Sequence, residues 1–100
     1  MLKISQNLNE NELTISLTGR LDTTTAPQLE SEMRRSLNSV SKLIFDLGEL
    51  EYISSAGLRV LLSAQKVMNR QGEMVVCHCS EAIMEIFDVT GFVDILTIEN

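Results

Sequence analysis

Side chains equipped for chemistry are sparse in this sequence, and their spacing narrows what that chemistry is. Tyr52-Ile53-Ser54-Ser55-Ala56-Gly57 places two adjacent hydroxyls ahead of a helical apolar pattern that begins at Leu58. A serine at such a junction has two physical readings. It caps the helix by accepting a hydrogen bond from an N–H of the first turn. Alternatively it is a modification site, because the unpaired N–H groups and partial positive charge of a first turn hold a phosphate without unfolding anything. Ala56 and Gly57 are small and leave a kinase or a partner close access. Catalysis lacks parts: His78 is the single histidine, with no partner near it in sequence for a Ser-His-Asp arrangement. Neither G-x-G-x-x-G nor G-x-x-x-x-G-K-[ST] occurs, so no phosphate loop supports a nucleotide enzyme. The carboxylate pairs Glu49/Glu51 and Glu81/Glu85 read as solvated faces. Asp46 ends one buried strand run and Asp22 follows another; each is either a cap or turn residue, or shares a rim with the Ser54-Ser55 loop at the carboxyl ends of parallel strands.

Cys77 and Cys79 flank His78. In an extended chain the two thiols share a face, but closing a ring across one residue is strained, so no disulfide is expected. Two thiols and one imidazole fall short of the four ligands of a structural zinc site. They read as packing residues at a strand end, and neither a metal nor a cofactor is expected. Fourteen acidic against eight basic residues give a net charge of −6, with the basic residues scattered. That balance argues against nucleic acid and anionic membrane surfaces and favours a protein partner with complementary basic patches. No apolar run reaches the roughly 20 residues of a membrane span. The first residues, Met1-Leu2-Lys3-Ile4-Ser5, lack the core of a secretory signal, so a cytoplasmic location is expected.

These groups need a scaffold, and one hundred residues build one domain, 1–100, around one core. Leu2-Lys3-Ile4 and Leu13-Thr14-Ile15-Ser16-Leu17 alternate apolar and polar around the polar turn Asn9-Glu10-Asn11, which predicts an antiparallel hairpin ending at Gly19. Thr25 with Gln28 has capping-box spacing, Pro27 suits a first turn, and Leu29, Met33 and Leu37 mark the buried face of a helix reaching about Asn38. Lys42–Leu47 predicts a buried strand, and Gly48–Ile53 a connection. From Leu58 a helix runs to Gly72, expected as a left-handed C-cap, with Leu58, Leu61, Leu62 and Met68 on one face. Glu73–Cys77 predicts another buried strand. Ser80 caps a helix with the stripe Ile83, Ile86, Phe87, which ends at Gly91, and Val93–Ile98 alternates as a last strand. The order β-β-α-β-α-β-α-β defines an α/β fold. It predicts a mixed, mostly parallel sheet of about five strands, with three helices and an N-terminal antiparallel edge hairpin.

Tyr52-Ile53-Ser54-Ser55-Ala56-Gly57-Leu58, following the strand Leu43–Leu47, resembles the signature of the STAS domains, specifically the anti-sigma factor antagonists. Leu17-Thr18-Gly19-Arg20-Leu21-Asp22, Gly72-Glu73-Met74-Val75-Val76, and Ile86-Phe87 with Thr90-Gly91 fit in order and spacing, so the resemblance covers nearly the whole chain. It implies a STAS-like fold and a regulatory binding module, not an enzyme. By resemblance, the chain binds an anti-sigma factor that is also a serine kinase and thereby frees a sigma factor. The kinase then phosphorylates Ser55, and a PP2C-type phosphatase reverses this. The family motif often reads Asp-Ser-Ser/Thr-Gly; aligned on Gly57 and Leu58, Ser54 stands where the acid usually does. Longer members continue into another helix, and this sequence stops two residues after its last strand run. The resemblance places partner contacts on Asp22, Thr23, Thr24, Thr25, Ser54, Ser55, Ala56 and Gly57, with Leu58, Arg59 and Leu62 as further candidates on the helix that starts at Ser55. The other role it offers is that of a STAS adaptor subunit of a membrane lipid or solute transporter.

Overall fold

The computed structural model describes residues 1–99. The elements are β1 (Leu2–Asn9), β2 (Glu12–Leu21), α1 (Ala26–Ser36), β3 (Lys42–Ile53), α2 (Ser55–Gln71), β4 (Glu73–Cys77), α3 (Glu81–Thr90), a short 3₁₀ turn (Phe92–Asp94) and β5 (Ile98–Glu99). The five strands form one sheet in the order β1-β2-β3-β4-β5. β1 and β2 pair antiparallel, and every later neighbour is parallel.

This order dictates the layering. Each βαβ crossover steps one strand further in the same direction, and right-handed crossovers of that kind bring all three helices onto one face. Packing agrees. Leu13, Ile15 and Leu17 of β2, Leu43, Phe45 and Leu47 of β3, and Met74 and Val76 of β4 share one buried cluster with Leu29, Leu61, Met68, Ile83 and Phe87 of the helices. The alternate residues Thr14, Ser16, Ile44, Asp46 and Cys77 point the other way and are half-buried, so that face carries no helix layer. No helix among the described residues is long and apolar enough to cross a membrane.

Several elements depart from the expectations of the sequence. β2 does not end at Gly19 but passes through it to Leu21, with a register shift between Gly19 and Arg20. The segment Gly48–Ile53 is no connection: it continues β3, because Leu50 and Ile53 regain the helix-covered face after register shifts against β2. The last strand is reduced to Ile98–Glu99. Ahead of it Gly91 ends α3 in the left-handed cap expected, and the chain then coils tightly so that Leu96 N–H reaches Phe92 O. In this coil Leu96 is buried and Ile95 is left 44% exposed.

Gly72 is not a left-handed cap; its φ of 172 is extended. The glycine is needed for a different reason. A Cβ there would overlap the Ser41 carbonyl, which accepts from Glu73 N–H at 3.1 Å where β4 joins β3. Gly72→Ala therefore forces the α2–β4 junction away from β3. The expected cost is about 1–3 kcal/mol, typical of overpacking, read as a lower urea midpoint; a wild-type midpoint would contradict the tight junction.

Candidate functional site

β2 and β3 run parallel, so their carboxyl ends lie side by side, with Arg20 beside Tyr52 and Leu21 beside Ile53. The two segments leaving these ends build the site. From Ile53 the chain enters Ser54, extended at φ −95 and ψ 176. Its N–H donates to Leu21 O at 2.9 Å, and its Oγ accepts from Gly57 N–H at 3.4 Å. The two readings of the paired serines thus divide between them. Ser54 is the cap, and Ser55 is the exposed first residue of α2. Among the described residues no side chain hydrogen-bonds to the Ser55 hydroxyl. The first turn of α2 carries no acidic residue, so its N-terminal dipole is not neutralised from within.

Gly57 lets the helix approach this closely. A Cβ there would lie 2.7 Å from Leu21 Cγ and 2.9 Å from Ile53 Cγ1. Beyond it Leu58 is 6% exposed and belongs to the core, Leu62 is half-buried, Ala56 is half-buried, and Arg59 is exposed. Leu58 therefore packs in the core and holds the helix down.

From Leu21 the chain enters a turn organised by Asp22. Its Oδ1 accepts from the Thr24 hydroxyl at 2.8 Å, Thr24 N–H at 3.0 Å and Thr25 N–H at 3.1 Å. The Thr25 hydroxyl accepts from Asp22 N–H at 2.8 Å and donates to Arg20 O at 2.9 Å. Thr25 is consequently buried in the turn and does not cap α1 with its side chain, and the expected capping box with Gln28 is absent. Competing partners three to five residues upstream win the hydroxyl. The Thr24 hydroxyl, with smaller contributions from the Thr25 and Thr24 N–H groups and the Thr25 hydroxyl, holds the Asp22 carboxyl below the usual carboxylate range against an opposing effect of burial.

Thr23 and Ala56 line a common groove of about 340 Å³ between α1 and α2, with Pro27 and Arg59 on its walls, so the Asp22–Thr25 turn and the start of α2 form one surface. Two residues not singled out from the sequence complete its edge. The Arg20 guanidinium lies 4.4 Å from the centre of the Tyr52 ring, and its Nε is 3.8 Å from Asp22 Oδ2. The pairing of Arg20 with Tyr52 in adjacent strands was the missing signal, and it depends on a register shift.

Asp46 does not share this rim. β3 continues to Ile53, which puts Asp46 about 20 Å back along the strand at ordinary strand rise, on the helix-free face beside His78. No serine of the junction reaches the histidine, and the geometry assembles no acyl-transfer site. The site is a surface with one exposed hydroxyl at a helix start, suited to docking and to a change of charge.

The family model for the STAS domain matches residues 3–100. The chain belongs to the STAS domain family. It is 36% identical over 101 residues to BtrV of Bordetella bronchiseptica, provisionally named an anti-sigma factor antagonist, covering 99% of this chain and 87% of that protein. Against the anti-sigma-B factor antagonist of Listeria monocytogenes identity is 31% over 104 residues, covering 99% and 91%. Among solved STAS-type folds it matches the anti-sigma factor antagonist SpoIIAA in its unphosphorylated form, at a TM-score of 0.77 and 15% identity, covering 98% of this chain and 88% of that one. The phosphorylated form of Bacillus SpoIIAA matches at a TM-score of 0.76 and 16% identity, covering 98% and 92%. The five-stranded STAS-type sheet, antiparallel at β1–β2 and parallel beyond, is the one expected.

Two outcomes test the geometry. Gly57→Ala should cost about 1–3 kcal/mol by wedging α2 off the strand ends, whereas Ala56→Ser on the half-buried neighbour should leave the urea midpoint near wild type. The Asp22 carboxyl, followed by NMR, should titrate below the ordinary carboxylate range and move back up in Thr24→Val. Its ionised form stabilises the fold above the ordinary value, and that contribution is lost as pH falls through the lowered one. An Asp22 midpoint at the ordinary value would contradict the turn.

Proposed function

We propose that this chain is an anti-sigma factor antagonist: a binding module, not a catalyst, that docks on an anti-sigma factor with serine kinase activity and so releases a sigma factor. Its docking surface is the junction where β2 and β3 end and α2 begins. Ser55 is the switch, phosphorylated by that kinase with ATP and restored by a PP2C-type phosphatase. The carrying observation is that Ser54 does the capping while Ser55 is left exposed at the head of α2.

The physics favours a switch at this position. A phosphate brings about −1.5 to −2 charges and three strong acceptor oxygens. The free N–H groups of the first turn receive it without rearranging the helix. A partner that docks on the neutral surface then faces repulsion and an uncompensated desolvation cost. Ser54 in place of the family's usual acid keeps a second negative charge away from the phosphate. The antagonist names of the relatives support this reading over a transporter adaptor, and a related fold known in a phosphorylated form supports the modification.

The test is incubation with the partner kinase and ATP, followed by site mapping by mass spectrometry. One phosphate on Ser55 is expected; Ser55→Ala should take up none and still bind the unmodified chain's partner. Full modification of Ser55→Ala, or a phosphate mapped to Ser54, would overturn the assignment. Ser55→Asp should weaken docking, though less than a phosphate does.

A further inference from the structure

Away from this junction, on the face of the sheet that no helix covers, metal-binding side chains from two strands converge. Ser16, Asp46, Cys77 and Glu99 occupy one registered row across β2, β3, β4 and β5. Side chains of such a row project to the same side. His78 follows Cys77 with φ 59, a left-handed backbone uncommon for a residue with a side chain. Its Nδ1 lies 3.0 Å from Asp46 Oδ1 and 3.5 Å from Cys77 Sγ. One ligand atom from each of the three falls within 4.8 Å of the others. Asp46 Oδ1 is also held by Gly48 N–H at 3.0 Å, which fixes the carboxylate where the imidazole meets it.

We propose that Asp46, Cys77 and His78 form a binding site for a divalent transition cation of the zinc type, with the fourth position open to water or to a group from a partner. Around such an ion, bonds of about 2.0–2.1 Å to nitrogen and oxygen and about 2.3 Å to sulfur set neighbouring ligand atoms about 3.3–3.6 Å apart in a tetrahedron. The His78–Cys77 separation already fits, the His78–Asp46 pair has to open slightly, and the Asp46–Cys77 pair lies within 4.8 Å. On binding, the Cys77 thiol loses its proton to solvent and the thiolate sulfur donates to the metal; His78 donates through Nδ1 with its proton on Nε2. One carboxylate and one thiolate among the ligands balance the two positive charges of the ion. A mixed nitrogen, sulfur and oxygen set selects zinc or cobalt over the hard cations magnesium and calcium, which take oxygen ligands. Sequence spacing gave only the two thiols and the imidazole; Asp46 joins them through the β3–β4 register. Cys79, partly buried against the core, lies outside the cluster.

The probe is Co²⁺ added to the reduced full chain. Expected are one ion per chain, a near-ultraviolet thiolate-to-cobalt charge-transfer band, and displacement by Zn²⁺ but not by excess Mg²⁺. Cys77→Ser should abolish the band. Asp46→Asn and His78→Gln should each weaken binding by more than about tenfold, the loss that even outer-shell changes bring. Cys79→Ser should leave it intact. Independently of any variant, Zn²⁺ should slow alkylation of Cys77 in the unaltered chain, as mapped by peptide mass. Absence of both the band and the protection would overturn the site, as would a band that survives Cys77→Ser or is lost with Cys79→Ser.

Discussion

The hydrogen bond from Ser54 N–H to Leu21 O ties the end of β3 to the end of β2 at the residue where α2 starts. Everything functional in the proposed reading hangs on that tie. It brings the two strand ends level, and Gly57 then lets the helix settle against Leu21 and Ile53 with no Cβ between them. Leu58, Leu61 and Met68 bury the face that follows, so the helix start is anchored from below and exposed from above. A hydroxyl on such a rigid platform changes chemical state without changing the fold. This is the condition for a modification to alter binding by charge alone.

The neighbouring turn obeys the same logic. Asp22 uses one carboxylate oxygen to order Thr24 and Thr25, and Arg20 lies over Tyr52 beside the other. The turn therefore presents a fixed arrangement of polar groups at the edge of the α1–α2 groove, and its carboxylate remains ionised at neutral pH. In the proposed docking a partner would meet a preformed surface, which lowers the ordering cost. Arg20 and Tyr52 meet because the β2–β3 register shifts by one residue between Gly19 and Arg20, with the extra residue, Glu51, in β3.

Much of the scaffold was legible in the sequence because burial on a single sheet face writes a period of two into β2, and helix packing writes its own period into α2 and α3. The caps at Ser80 and Gly91 were legible too, since each uses local backbone geometry. What was not legible depends on contacts between distant segments. Thr25 looked like a cap, but Arg20 O and Asp22 N–H claim its hydroxyl. Gly48–Ile53 looked like a connection because its irregular register hides the alternation. Val93–Ile98 alternated, yet the left-handed turn at Gly91 directs the chain into a 3₁₀ coil. The sequence pointed to the junction but not to the division of labour within it: which serine caps α2 followed only from the φ and ψ of Ser54. The proximity of Asp46 to His78 has no local signature at all.

The proposed switch is one charge-dependent binding event, and affinity is its most direct measure. Calorimetric titration of the anti-sigma partner with the unmodified chain and with the chain phosphorylated on Ser55 should give dissociation constants that differ by at least about tenfold, a penalty of about 1.4 kcal/mol or more. The unmodified form should bind tighter, and the two forms should keep superimposable backbone NMR spectra outside the start of α2. Equal affinities, with Ser55 fully phosphorylated, would contradict the central claim.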